Sequence, residues 1–553
     1  MEKRTILAFA LSFLVLILWS FLFNPSKDQV SKKGETPETV APKTVSQSPE
    51  TASAPHAAIS KAPEKTKIGL TPETDEKEVV VDTPLYRAVF TNAGPTIKSF
   101  KLKEYRESVE PDSPLIELIN LQQDKADFLI ISFDGASARQ LEKTIYNVEH
   151  QKIRLESDSS PKNLVFHSST SGGISISQTY RFYPDQYRID LQIDVINQSG
   201  EIVTGAFVAD IKALPPEGKQ SYYSYVGIVL LLDDKLEEVK IKKESEPKDL
   251  AGRIGWMAYE DDFFISAVIP DEPSKASFKG RLLPSGILEG THMPPSISLH
   301  PSEQVSSSYT LYLGPRELGI LKQLGKNLER AISFGWTDII AKPLLYLLRF
   351  FNQYINNYGV SIILLTILIK ILFWPLTHKS YKSMKEMQKL QPRMAKIREK
   401  YKNNKAQLNK EMMGLYKTYK VNPMGGCLPM IIQLPVFFAL FRILGSAIEL
   451  RQAPFMLWIK DLSAPDRLFN FPFSIPFMEP PYGIPVLTLL MGASMFLQQK
   501  MTPTPGDPMQ AKIMMFLPLI FTFMFINFPS GLVLYWFVNN ILSIGQQYRI
   551  HRS

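Results

Sequence analysis

Lys370 is the one ionisable residue placed deep inside the chain's long apolar runs, here Tyr358 to Pro375. A cation at such a depth costs about 3 kcal/mol or more, so its presence asks for a reason. Two readings follow. The side chain can snorkel to the headgroups, or the ammonium can face a wet cavity between helices and attract anionic groups. Thr366, one helical turn earlier, and Gln433, in the next apolar run, suggest a polar interior and favour the second reading.

Other residues with chemistry to offer form no catalytic pattern. Glu260-Asp261-Asp262 lies near Trp256 and Phe263, as carboxylates do in sugar sites, yet it reads better as a solvated loop beside core aromatics. His56, His150, His167, His292, His300, His378 and His551 are scattered, and none pair at metal-ligand spacing. Cys427 is the only cysteine, so no intramolecular disulfide can form. It sits beside Gly425, Gly426 and Pro429 with no histidine near it in sequence, and reads as a small membrane residue rather than a nucleophile. There is no G-x-S-x-G elbow. Gly319 to Gly325-Lys326 has the wrong spacing for a phosphate loop, and Asn327 follows where Ser or Thr is needed. These residues predict no enzyme, no metal, no cofactor and no direct use of ATP.

The elements that must hold Lys370 divide the 553 residues into two kinds of sequence. Residues 1–24 begin Met1-Glu2-Lys3-Arg4 and continue as an apolar run ending Trp19-Ser20-Phe21-Leu22-Phe23. Bulky aromatics stand where a cleavage site needs small residues, so this segment predicts a retained signal-anchor. Lys3 and Arg4 keep its start cytoplasmic. Residues 25–78, rich in Pro, Ser, Thr, Lys and Glu, predict a disordered tether. Residues 79–330 alternate like strands: Tyr187, Ile189, Leu191, Ile193 and Val195 are apolar, with polar residues between. Tyr309, Leu311 and Leu313 repeat the pattern, and Asn92-Ala93-Gly94-Pro95, Ser171-Gly172-Gly173 and Pro184-Asp185 supply turns. The expectation is an exported all-β sandwich closed by one helix from Glu317 to Ile332.

Residues 331–353 predict an amphipathic interfacial helix. Residues 354–548 predict five spans, at about 358–376, 427–445, 483–499, 513–528 and 531–547, several of them short. With the first segment this makes six transmembrane helices. Between the first two core spans, residues 377–424 hold 13 Lys or Arg against Glu386, Glu399 and Glu411. Residues 445–482 carry Arg451, Lys460 and Arg467 against four acids, and 549–553 form a basic tail. The asymmetry places 377–424 and the C-terminus in the cytoplasm and accounts for the net charge of +8 without specific DNA binding. Met387, Leu390, Met394, Ile397 and Tyr401, then Leu408, Met412, Leu415 and Tyr419, predict a helical hairpin with an apolar seam and a basic exterior. Lys389, Arg393, Lys396 and Arg398 lie on it. Of the 19 methionines, 16 lie after residue 380, as a surface adapting to varied apolar partners would require.

Several stretches carry a family resemblance: LQPRMAKIREKY (390–401), LYKTYKVNPMGGCLPMIIQLPVF (415–437), ELRQAPFMLWIKDLSAPD (449–466), FLQQKMTP (496–503), DPMQAKIMMFLPLIF (507–521), FPSGLVLYWFVNN (528–540) and GWMAYEDDFFISAVIP (255–270). In this order, over essentially the whole chain, they resemble the YidC membrane-protein insertase family in its Gram-negative form. The resemblance implies a periplasmic β-super-sandwich like that of galactose mutarotases. It also implies a five-helix core around a hydrophilic groove open to cytoplasm and lipid. It implies an inner-membrane insertase and chaperone acting on nascent membrane proteins, alone or with the Sec translocon, with ribosomes and lipids as further partners. By position it implies groove roles for Lys370, Thr366 and Gln433, and substrate contacts for Phe437, Met491, Met524 and Trp536. Lys370 stands where the family usually has Arg, keeping the charge and losing the planar fork. Trp536 and Met524 replace the frequent Tyr and Phe, and the 445–482 segment is extended around Phe469 to Pro481. The competing functions are a secondary transporter or channel using Lys370 as an anion site, and an envelope enzyme acting on sugars. Five dissimilar spans without paired repeats argue against the transporter.

Overall fold

The period-two pattern of the first half becomes antiparallel strands. In the computed structural model, which describes residues 60–61, 75–119, 128–135, 144–215, 225–241, 243–419, 421, 428–501 and 508–552, the strand Arg188–Asn197 buries Ile189, Leu191, Ile193 and Val195. The expected signal-anchor at 1–24, nearly all of the expected tether and Cys427 lie outside the described residues. Arg188–Asn197 pairs with Ile174–Phe182 on one side and Glu303–Pro315 on the other. The strand Glu303–Pro315 departs from simple alternation: Tyr309, Thr310, Leu311, Tyr312 and Leu313 are all buried, because this part of the strand is covered on both faces. A 15-stranded sheet grows from this centre, and a separate five-stranded sheet runs Leu115–Glu117, Thr96–Arg106, Tyr86–Thr91, Glu78–Asp82, Lys152–Arg154. Phe90 of the smaller sheet packs edge-on against Tyr180 and Phe182 of the larger, at 5.1 and 5.7 Å between ring centres. These aromatic contacts join the two sheets into one core.

The single helix expected from Glu317 to Ile332 is instead two pieces. Helix α1 (Leu318–Leu324) stops at Gly325, whose φ is 74°, and the chain resumes as a 3-10 turn, Leu328–Ala331. Positive φ at three consecutive residues, Gly325, Lys326 and Asn327, breaks the helix while still turning Leu318, Leu321 and Leu328 inward. A second 3-10 turn, Gly335–Thr337, leads into α2 (Asp338–Ile355), which buries Ala341, Leu345 and Leu348 and leaves Ile339, Tyr346, Phe350 and Tyr354 exposed.

The following helix, α3, runs unbroken from Tyr358 to Lys400. Its 43 residues extend about 65 Å, twice the hydrocarbon thickness, so the apolar run and the first arm of the basic hairpin are one rod. The sequence boundary at residue 376 is therefore no break. Pro375 is accommodated where the Thr377 hydroxyl bonds the Phe373 and Trp374 carbonyl oxygens, each at 3.1 Å. A turn at Tyr401–Asn404 reverses the chain, Asn404 caps α4 (Lys405–Thr418) by accepting from Gln407 N, and the arms return side by side. The remaining helices are α5 (Leu428–Ser446), α6 (Val486–Met501), α7 (Pro508–Phe525) and α8 (Ser530–Arg552). Among the described residues one helix, α3, is both long and apolar enough to cross a bilayer by itself; Gln433–Ser446 and Met514–Phe525 are shorter apolar stretches. Gly492 of α6 meets Thr522 of α7 so closely that an added Cβ would collide with the threonine hydroxyl, the small-residue contact typical of helices packed in lipid.

The segment between α5 and α6 caps one end of this bundle. Ser530 N and Gly531 N, at the start of α8, donate to Ala464 O and Leu462 O at 2.8 and 2.9 Å. Asp466 accepts from Leu487 N and Thr488 N at the start of α6, and from Trp458 Nε1 at 2.5 Å. A carboxylate facing free helix N–H groups satisfies donors that would otherwise be stranded. Asn357 Nδ2, at the start of α3, donates to Phe455 O at 3.0 Å. The β domain meets the same cap: Gln452 Nε2 donates to Arg106 O at 2.7 Å, and Arg451 lies over the Phe263 and Phe264 rings. Arg349 of α2 bridges Glu317 at 2.9 Å and Glu449 at 3.7 Å, fastening the helix between the domain and the cap.

Candidate functional site

An α-helix satisfies its own backbone, so polar side chains inside a bundle must find one another. Along α8, Asn539, Ser543 and Gln546 recur at spacings of four and three and share one face. Lys370 on α3 meets this face. Its ammonium donates to Ser543 Oγ at 2.6 Å and to Asn539 Oδ1 at 3.2 Å, and the residue is 8% exposed. Both partners are neutral, and among the described residues no carboxylate pairs with it. An ammonium has three donors, and one is left over. Beside it lies a cavity of about 20 Å³ lined by Ile369, Lys370, Phe373, Thr377, Gln433 and Asn539, room for about one water. The side chain is thus held between helices and does not snorkel along the rod.

The polar face continues past Lys370. Gln546 Nε2 donates to Thr377 Oγ1 at 3.0 Å, joining α8 to α3. Asn540 Nδ2 donates to Ser494 Oγ at 3.0 Å, joining α8 to α6, and Gln433 Nε2 donates to Tyr535 Oη at 2.9 Å, joining α5 to α8. The structure therefore brings Lys370 and Gln433 to one cavity. Thr366 is buried but separate from that cluster, because its hydroxyl donates to Ile362 O of its own helix at 2.7 Å. Asn539, Ser543, Thr377 and Gln546 escaped the sequence reading. The signal for Asn539, Ser543 and Gln546 was a polar stripe at helical spacing in and just beyond the last apolar run, and Thr377 of α3 is marked only by facing it.

The four expected contact residues take different positions. Phe437 and Trp536 stack edge to face at 4.8 Å, and Trp536 also meets Phe525 at 5.1 Å, so these rings form one aromatic cluster between α5, α7 and α8. Met524 is 43% exposed on the outer side of α7. Met491 is fully buried on α6, where it packs the bundle and offers no surface to a passing chain. On the basic hairpin, Lys389 pairs with Glu386 at 2.8 Å, and Arg393 lies 4.9 Å from the centre of the Tyr419 ring on the opposite arm. Lys396 is exposed and Arg398 partly so.

The acidic cluster of the β domain is not the solvated loop its composition suggested. Glu260, at the end of the strand Lys248–Glu260, points inward and is buried. Arg316 stands 3.6 Å away and also donates to Ala331 O at 2.9 Å. Burial pushes the Glu260 carboxyl up to about 7, against the pull of Arg316. Asp261 uses one carboxylate oxygen to accept from Phe263 N and Phe264 N, both at 2.7 Å, which fixes the turn. Strand register, invisible in the acidic triplet itself, turned the first carboxylate to the core.

Known proteins align along the whole chain. Residues 78–347 match the family model of the YidC periplasmic domain, and residues 350–553 that of the 60Kd inner membrane protein. The membrane protein insertase YidC of Syntrophus aciditrophicus is 45% identical over 565 aligned positions, covering 100% of both chains. That of Pelobacter propionicus is 42% identical, covering 100% of this chain and 99% of its own. A crystal structure of an active YidC insertase with its first transmembrane domain resolved covers 86% of this chain and 93% of its own, at 17% identity and a TM-score of 0.39. A β-rich periplasmic domain joined to an inner-membrane helical core, matched end to end by such relatives, identifies this chain as a member of the YidC family of membrane protein insertases.

Proposed function

We propose that insertion proceeds through the polar face of α8, with Lys370 as its fixed cation. The observation that carries this reading is a buried ammonium held by neutral side chains beside a small cavity that Gln433, Thr377 and Asn539 also reach. A polar segment of a nascent membrane protein enters from the end opposite the cap. There it exchanges its hydrogen bonds for those of Lys370, Asn539, Ser543, Thr377 and Gln546. Moving unpaired polar groups through hydrocarbon costs several kcal/mol each, and a partner-lined path removes much of that cost. The attached apolar segment moves into lipid past Phe437, Trp536 and exposed Met524, and its burial, at about 25 cal/mol per Å², drives the process without ATP. Met491 supports that wall from behind.

In this reading the chain crosses the inner membrane six times, with both termini and the basic hairpin in the cytoplasm and the β domain and cap outside. The spans are short, and the bilayer thins around them. The hairpin's Lys389, Arg393, Lys396 and Arg398 face ribosomes delivering nascent chains, and the Sec translocon shares the larger substrates. No step forms or breaks a covalent bond. The test is protease protection of a small two-span substrate in proteoliposomes with the purified full chain, with no added protein, or with Lys370→Ala. Protection that requires the protein, and falls with the variant, supports the reading. Equal protection with and without protein overturns autonomous insertion, and protein-dependent anion flux blocked by the same variant would establish the transporter instead.

A further inference from the structure

Residues 468–478, Leu-Phe-Asn-Phe-Pro-Phe-Ser-Ile-Pro-Phe-Met, contain no ionisable side chain and four phenylalanines, yet they lie in the cap rather than in a helix of the bundle. They form an arm of defined shape. Leu468–Phe471 pairs antiparallel with Tyr482–Ile484, and the two strands approach so closely at Gly483 that an added Cβ would collide with Phe469 O. The base is bolted to the α7–α8 turn. Arg467 donates to Pro481 O at 2.9 Å and to Ile526 O at 2.8 Å, and Asn527 Nδ2 donates to Phe477 O at 3.0 Å. Asn527 Oδ1 also accepts from Glu479 N at 2.9 Å.

With these polar groups turned inward, the rings point out. Phe477 is 86% exposed, Phe469 66% and Phe473 59%, and Leu457 of the neighbouring cap loop is 83% exposed. Phe469, Phe477 and Leu457 all hold φ between 57° and 65°, a region bulky side chains rarely adopt. The backbone at these three positions is committed to an unfavourable conformation, and among the described residues none covers the side chains it carries. The outer side of α7, the helix that ends at the turn bolted to the base, is exposed and apolar as well. Leu519, Ile520 and Phe523 expose an apolar stripe that runs toward the turn where Asn527 holds Phe477.

We propose that this arm is a lipid anchor: Phe469, Phe473 and Phe477 enter the headgroup–acyl boundary of the leaflet at the capped end of the bundle. Lipid fits because the arm is uncharged, is tied to the end of an apolar helix and has a hydrogen-bonded base that sets its depth, whereas exposed apolar patches of this kind have no place in water. The anchor fixes the height of the cap, and with it the polar face behind, independently of how insertion itself proceeds.

The test uses the full chain with Cys427→Ser, labelled with a nitrobenzoxadiazole fluorophore at Phe477→Cys, or at Phe473→Cys as a second position. The protein is reconstituted in phosphatidylethanolamine–phosphatidylglycerol vesicles, and Asp185→Cys in an exposed turn of the β domain serves as the aqueous reference. The expected result is quenching by acyl-chain spin labels from a depth of about 5–10 Å below the headgroups, with protection from iodide, at both arm positions and not at the reference. Quenching by iodide at the arm overturns the proposal. Protection from both quenchers also overturns it, and assigns the arm to a protein surface, a second copy or a partner.

Discussion

The β domain and the helical bundle both bury polar side chains, but they satisfy them differently. In the β domain the partner is usually backbone. Asn92 bonds Lys77 N, Asp75 O and Tyr146 O, and Asn197 bonds Glu201 O and Leu299 O. Glu117 accepts from Phe100 N at 2.6 Å. Each such side chain ties separate segments of the chain together through their peptide groups. In the bundle the helices leave few free peptide groups, so side chain meets side chain: Lys370 with Asn539 and Ser543, Gln546 with Thr377, Asn540 with Ser494, Gln433 with Tyr535. A bond to backbone holds a fold together. A bond between two side chains can be exchanged for water or for a passing polypeptide without opening a helix. The bundle's polar residues are therefore suited to transient use, and those of the β domain to permanence.

The largest expected effect tests the permanent side. Asn92→Ala removes three hydrogen bonds to backbone at once, the one to Tyr146 O fully buried and those to Lys77 N and Asp75 O partly so, and should destabilise the β domain by about 3 kcal/mol. Hydrogen exchange of the Tyr86–Thr91 strand reads the loss locally. A cost near that of an exposed Asn→Ala change would remove the distinction between the two regions.

Glu260 gives a comparable effect that depends on pH. Its folded carboxyl keeps its proton up to about 7, while the unfolded chain releases it near the ordinary 4.5. The folded state binds more protons in that window, so this group's contribution to stability falls as pH rises, by on the order of 3 kcal/mol across it. His292, held neutral by burial down to about 4 against an ordinary 6.5, has the opposite slope: its contribution is lost as pH falls through that range. Comparing Glu260→Gln with the unaltered chain cancels the histidine. The variant's relative stability should climb steadily from pH 4.5 to 7 in denaturant titrations, and a flat difference would show that Arg316 keeps the carboxylate charged.

Smaller stability effects belong to the bundle. Lys370→Met should shift unfolding by less than about 1 kcal/mol, because bonds between side chains in lipid are individually weak. Insertion in proteoliposomes should nevertheless fall severalfold. Equal loss of stability and insertion would make Lys370 a structural plug like Asn92. The smallest effect is the coupling between Asn540 and Ser494. A double-mutant cycle of Asn540→Leu and Ser494→Ala should return about 0.6 kcal/mol.

Much of this architecture could be read before any coordinates. The alternation of Ile189, Leu191, Ile193 and Val195 is visible because one face of that strand meets the core and the other does not. The seam of the basic hairpin is legible for the same reason: Met387, Leu390 and Met394 are buried while their neighbours are not. Where both faces are covered, as at Tyr309–Leu313, the period vanishes and a sequence reading misplaces half the core. The candidate site was half legible. Lys370 and Gln433 stand out as polar residues in apolar runs. Asn539 and Ser543 were missed because each is unremarkable alone, and the stripe acquires meaning only opposite a cation on another helix.

The sequence by itself determined the division into an exported β domain and a membrane core, the basic face of the hairpin and the presence of one cation deep in an apolar run. Composition and period are local properties, and they survive in the linear order. Tertiary structure alone decided that α3 is a single rod, that Glu260 faces inward and that Met491 is hidden. It also decided that Lys370 lies against α8, some 170 residues away, with hydrogen bonds across separations of 169 and 173. Those outcomes depend on which faces meet, and packing fixes that only when the whole chain is assembled.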